Sequence, residues 1–147
     1  MTSLLGWTAT VAAGLFAGAA LYVSLVEHPA RVSLGPRAAV SEFGPSYRRG
    51  AAMQAPLSLI GALVAIAHWA TGGGSAAWLI GGLALGALVP FTLLVIMPTN
   101  KRLLDERLDA GSGEAAGLLQ RWARLHAVRT VISLAVFAEF VALLTRR

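Results

Sequence analysis

"SLIGALVAIAHWATGGGSAAWLIGGLALGALVPFTLLVIM", residues 58–97, decides the fold class. Two apolar runs flank TGGGS, a flexible turn without charge, so the segment predicts an antiparallel helical hairpin. A helix of about 20 apolar residues, rising 1.5 Å each, crosses a hydrocarbon core of about 30 Å. On that measure the hairpin supplies spans over about 51–70 and 76–97, and two further runs, 4–26 and 125–144, are as long and as apolar. Helices are the expected form, because lipid offers no partner for backbone groups left unpaired. The whole chain agrees: 147 residues, 56% hydrophobic, 13% charged, with a mean hydropathy of +0.69. A water-soluble domain carries about a quarter charged residues. The expectation is an all-α, integral membrane four-helix bundle forming a single membrane domain. The start, MTSLLGW, lacks the basic flank of a secretory signal, so the first run reads as a retained helix.

The connections differ in character. Residues 27–50 carry Pro29, Pro36 and Pro45 and are expected to fold as short helical pieces on the membrane surface. Between the third and fourth runs, PTNKRLLDERLDA has helical spacing, GSG interrupts it, and a helix restarts near Glu114. Pro56 and Pro90 fall inside spans, where they can kink a helix and free carbonyls for neighbours. GLFAG at 14–18 and GLALG at 82–86 are small-residue repeats that let helices approach closely. A bundle this rich in Gly and Ala buries little by itself, which makes a homodimer plausible.

Charge sets orientation and removes some functions. The net charge is +5, yet the basic residues sit in short stretches between apolar runs rather than along a face among stacking aromatics, so nucleic-acid binding is not expected. Arg31, Arg37, Arg48 and Arg49 lie in the first linker, and Lys101, Arg102, Arg107, Arg121 and Arg124 in the second; the TGGGS turn has none. The positive-inside rule places both linkers in the cytoplasm and both termini outside, in a bacterial inner membrane. Arg146 and Arg147 run against this count. Trp7, Trp69 and Trp78 would form an outer aromatic belt. No cysteine is present, which excludes disulfides, thiolate metal sites and cysteine nucleophiles.

Polar residues collect at the linker end. The first run stops at LYVSLVEHPARV with Glu27 and His28; the second begins near Met53 and Gln54; the third ends at Asn100; the fourth opens with RWARLHAVRT. There Trp122, His126 and Arg129 share one helical face, with Ser133 continuing the stripe. Arg129 either snorkels to the surface or meets an anion, and Glu27 is the nearest in depth. Gln54 and Asn100 can equally be helix–helix glue or a cap. The whole set can also be a polar plug that only fixes the bundle. At the opposite end stand His68 and Glu139, read either as a pair or with Glu139 protonated.

EHPAR, YRRGAAMQAPLSLIG, PFTLLVIMPTNKRLLD and RWARLHAVRT together resemble the anthrone-oxygenase-like family of small four-helix membrane proteins, over nearly the whole chain, about 14–144. The resemblance implies an oxygenase acting on polycyclic aromatic phenols such as anthrones, using O2 and no organic cofactor. It places the family's polar positions on Glu27, His28, Asn100, His126 and Arg129. Five Phe, two Tyr and four Trp allow only a modest aromatic lining.

Three mechanisms remain open on the residues. His126 or His28 can act as general base, with Arg129 and Asn100 holding the resulting oxyanion and Glu27 orienting an imidazole or neutralising Arg129. Gln54, Trp122 and Met53 would contact an apolar substrate arriving from the bilayer. Alternatively His28, His126 and Glu27 form a two-histidine, one-carboxylate set for one metal ion. The non-enzymatic alternative is a membrane protein binding a lipid, quinone or partner helix. Transport is not expected, since no inverted repeat is present.

Overall fold

The computed structural model describes residues 2–145, with side chains from residue 4. Its elements are α1 (Thr2–Tyr22), α2 (His28–Ser33), α3 (Pro36–Ala70), α4 (Ala76–Phe91), α5 (Met97–Leu103) and α6 (Gly113–Thr145), with no strand among the described residues. Two π-helical turns, Val23–Glu27 and Thr92–Ile96, weld α1 to α2 and α4 to α5. Four helices long and apolar enough to cross a membrane result, Leu4–Ser33, Pro36–Ala70, Ala76–Leu103 and Gly113–Thr145. α1, α3, α4 and α6 form a closed ring in which each packs on two neighbours.

Both π-turns have the same cause in the sequence. A proline has no N–H and its ring collides with the carbonyl four residues earlier. Pro29 and Pro98 each follow a π-turn by two residues. The backbone relaxes by widening to i→i+5 bonds: His28 N–H donates to the Val23 carbonyl, and Met97 N–H to the Thr92 carbonyl. The extra residue per turn re-aims the side chains around it, which is why such turns collect at functional sites.

The helices outrun the expected spans. α3 is one continuous helix that begins at Pro36, fifteen positions ahead of the 51–70 span expected, and passes through Pro45 and Pro56. The first linker is therefore not a set of surface pieces. Only Leu34 and Gly35 interrupt the helix, with Gly35 at φ 87°, a left-handed conformation glycine adopts without penalty. Pro45 and Pro56 are exposed on the outer face, where the missing bond bends the helix without opening the interior. The second linker follows expectation more closely: α5 is short, residues 104–112 are non-helical, and α6 starts at Gly113.

Two apolar clusters fill the bundle. One, at the end holding both termini and the TGGGS turn, joins Ala9, Ala13, Phe16, Ala62, Ala65, Trp78, Leu85, Leu88, Val136 and Phe140. The other, at the linker end, joins Ala39, Phe43, Ile96, Leu103, Leu108, Ala115, Leu119 and Trp122. Trp78 belongs to the first cluster at 3% exposure and stacks on Phe140 at 4.6 Å, so it is not a belt residue, whereas Trp7 and Trp69 face outward. A side chain on α4 one position into the bundle cannot also meet lipid. In each small-residue repeat one glycine makes the close contact. A Cβ on Gly14 would lie 2.8 Å from the Phe137 ring and one on Gly82 3.0 Å from the Ala62 carbonyl, while Gly18 faces open space.

Candidate functional site

A cavity of about 600 Å³ lies between the two clusters. Its walls come from every long helix, and the cause is a single stripe on each. On α3, Phe43, Tyr47, Gly50, Gln54 and Ser58 recur at three- and four-residue intervals and all line it. On α6 the stripe is Trp122, His126 and Arg129; from α5 comes Asn100, and from the first π-turn Val23 and Glu27. Both tyrosines, Phe16, Phe43 and Trp122 line it, more aromatic surface than composition led us to expect. Tyr22, Met53 and Leu93 line the cavity and are also more than half exposed, which marks its mouth on the outward, apolar surface of the bundle.

His126 is 3% exposed and its ring stacks on Trp122 at 4.7 Å. Its Nδ1 lies 3.0 Å from Ser24 Oγ, which in turn lies 2.8 Å from Thr130 Oγ1. Arg129, one turn further along α6, donates from Nη2 to Gln54 Oε1 at 3.1 Å and lies 5.4 Å above the Phe16 ring. Its Nε is buried without a partner, and among the described residues no carboxylate comes within ion-pair distance of it. Asn100 is 1% exposed with its Oδ1 unpartnered. The cavity thus presents an imidazole, an uncompensated guanidinium and two amides against apolar walls. Arg129 is half-buried, and a cation partly withdrawn from water without counter-charge is costly unless an anion completes it.

Two expected contacts are not made. Glu27 does not meet Arg129. Its carboxylate accepts from Arg31 and from Ser46, and Arg31 also pairs through Nε with Glu42 at 2.7 Å. Arg31 stands one helical turn after Glu27, the spacing at which side chains meet on a helix, and the cluster staples α2 to α3 across the Leu34–Gly35 corner. His28 does not face the cavity. It packs on Trp122, centroids 4.9 Å apart, and is not among the residues that line the cavity. Consecutive helical residues point about 100° apart, and Glu27 takes the cavity side. For the same reason Glu27, His28 and His126 do not converge as three ligands, and no cluster of three such groups able to hold a metal occurs among the described residues. The other expected residues, Met53, Gln54, Asn100, Trp122, His126 and Arg129, do share the cavity.

Residues missed from sequence are Ser24, Thr130, Arg31, Phe43, Ser46 and Tyr47. Thr130 and Arg31 carried a signal, each four positions after a chosen residue on a helix. The α3 residues did not, because residues 27–50 read as short helical pieces on the membrane surface rather than as the start of a span. At the far end His68 and Glu139 form no ion pair among the described residues. His68 instead meets the Trp78 ring edge-on at 4.8 Å. The glycine turn covers it, and a Cβ on Gly73 would fall 2.3 Å from its Nδ1.

Comparison with known proteins adds a second line of argument. Residues 43–138 match the family model described as anthrone oxygenase. The chain is similar to the anthrone oxygenase tpcL of Aspergillus fumigatus, 31% identical over 136 residues that cover 86% of this chain and 84% of the fungal one. No solved structure matches it.

Proposed function

The chain belongs to the anthrone oxygenase family, and from that premise we propose that it is a membrane-embedded oxygenase that uses O2 to convert the activated methylene of an anthrone-like phenol to a carbonyl. The observation that carries this reading is the set His126, Arg129, Gln54 and Asn100 around an apolar, aromatic-lined cavity in which Arg129 lacks a carboxylate partner. A planar polycyclic phenol fits walls made of Phe16, Phe43, Tyr47 and Trp122. The mouth at Tyr22, Met53 and Leu93 would admit it laterally from lipid, where O2 also concentrates.

His126 removes the acidic methylene proton, work suited to a neutral imidazole. The negative charge delocalises onto the carbonyl oxygen, and Arg129, held by Gln54, stabilises that oxyanion in surroundings that screen it poorly. The open Asn100 Oδ1 accepts a phenolic O–H and fixes the ring in register. The carbanion then gives one electron to O2, the radical and superoxide combine and take up a proton to give a hydroperoxide, and loss of water leaves the carbonyl. One O2 is consumed, with one oxygen in product and one in water. Glu27, Arg31, Glu42 and Ser46 hold the corner that shapes this wall rather than meeting the reacting atoms. The Lys and Arg of the two linkers support a cytoplasmic location for this end of the bundle.

The experiment is oxygen uptake by detergent-purified protein with a dihydroxyanthrone, wild type beside His126→Ala. Uptake matched by quinone formation and lost in the variant supports the reading. Equal rates in both would sink the base role, and binding of the phenol without oxygen consumption would sink the oxygenase itself.

A further inference from the structure

Ser24, like Ser46 and Ser58, uses its hydroxyl across elements rather than on its own helix. Thr8, Thr10, Thr71, Thr92 and Thr145 each donate to the carbonyl four residues earlier, the usual resting place of a hydroxyl on an apolar helix. Ser24 makes no such bond. It lies in the first π-turn, and its Oγ reaches across to α6, 3.0 Å from His126 Nδ1 and 2.8 Å from Thr130 Oγ1. Thr130 Oγ1 in turn lies 3.2 Å from the carbonyls of both Ala20 and His126. The Thr130 bonds to the two carbonyls are buried and the Ser24 contacts part-buried, and their protons can be counted.

A carbonyl only accepts, so the single proton of Thr130 is directed to Ala20 or His126 O. The Thr130 oxygen is then an acceptor towards Ser24, which spends its own single proton there. Ser24 has only a lone pair left for His126, and Nδ1 must carry hydrogen to meet it. The reverse order, Thr130 to Ser24 to Nδ1, would set a Thr130 lone pair against two carbonyl lone pairs at 3.2 Å. We propose that Ser24 and Thr130 are positioning residues that hold His126 as its Nδ1–H tautomer, leaving the Nε2 lone pair free. Nε2 has no protein hydrogen bond among the described residues, and His126 lines the cavity. The nitrogen open to a substrate is therefore the basic one. The arrangement does for a neutral imidazole what a carboxylate does elsewhere, without placing a charge in the membrane. Its catalytic consequence rests on the base role proposed above; the tautomer itself does not.

The test is nitrogen-15 NMR of full-length protein in micelles, labelled at histidine and recorded where imidazoles are neutral, about pH 8. Protonated and bare ring nitrogens give well-separated signals, and the His126 pair is the one absent from His126→Asn. Expected are a protonated Nδ1 and a bare Nε2. Thr130→Val removes the acceptor for the Ser24 proton, which then turns to Nδ1, so the tautomer inverts; Thr130→Ser restores it. With a dihydroxyanthrone, Thr130→Val lowers kcat about tenfold or more with KM little changed, and Thr130→Ser recovers it. A bare Nδ1 in the wild type overturns the proposal, as does a Thr130→Val protein whose tautomer is unchanged. Should a variant not fold, the wild-type spectrum decides, assigned by His28→Asn and His68→Asn. A protonated Nδ1 in a protein that consumes no oxygen leaves this inference standing and removes only the oxygenase reading.

Discussion

The chain buries His68 and His126 almost equally, at 4% and 3% exposure, and each packs on a tryptophan. Only one has chemistry around it. His68 lies in the half of the bundle that is packed with Ala, Gly and Phe140, its Nδ1 unpartnered beneath the glycine turn. His126 lies where two prolines have unwound the neighbouring helices by one residue each, and there hydroxyls, amides and a guanidinium reach inward around a cavity. The lesson is that burial and aromatic contact do not make a site. A site needs a broken packing register that leaves both a void and re-aimed polar groups. Membrane helices gain from tight van der Waals packing, so a void of this size is a departure from what stabilises the rest.

The sharpest way to break the comparison is to replace each imidazole with phenylalanine. His126→Phe should cost about 10²–10⁴-fold in turnover of a dihydroxyanthrone, the usual weight of a general base. His68→Phe should leave turnover unchanged and its thermal midpoint in micelles equal or higher, because a buried unpaired nitrogen is removed. A large activity loss at His68 would dissolve the contrast.

Packing should respond in the opposite sense. A Cβ on Gly81 would lie 2.4 Å from Phe140, so Gly81→Ala should destabilise by about 1–3 kcal/mol through overpacking. Gly18→Ala meets open space and should stabilise by about 0.5–1 kcal/mol through helix propensity. Denaturant titration in mixed micelles reads both, and equal shifts would mean that α4 is not tightly seated on α6.

Within the cavity, Gln54→Leu deprives Arg129 of its hydrogen bond. Because Arg129 meets the oxyanion as it forms, kcat should fall about tenfold, equivalent to about 1.4 kcal/mol, with KM less altered. A rise in KM at constant kcat would instead limit Gln54 to binding the phenol.

The smallest effect is expected outside the bundle. The Arg107 backbone N–H, and then Arg102, hold the Asp105 carboxyl below its ordinary value of 3.8. A depressed value means that this group stabilises the fold above 3.8 and ceases to do so as pH falls through the folded value. Asp105→Asn should therefore melt slightly below wild type at neutral pH, with the gap closing in acid; a gap independent of pH would show that the carboxylate charge is irrelevant there.

Apolar run length and the uncharged TGGGS turn determined, by themselves, that the chain forms four helices able to cross a membrane, since lipid leaves the backbone no other choice. The Trp122–His126–Arg129 stripe was legible for the same reason, periodicity on one helix, as were the short motifs that marked the family. What tertiary structure alone decided was partnership. Glu27 took Arg31, one turn away, rather than Arg129; Trp122 packed against both His28 and His126; Phe43 and Tyr47 joined the site because α3 ran through Pro45. Sequence reports which residues share a helix face. It does not report how a proline is absorbed, and here two prolines were absorbed as π-turns, with Ser24 carried by the first towards His126.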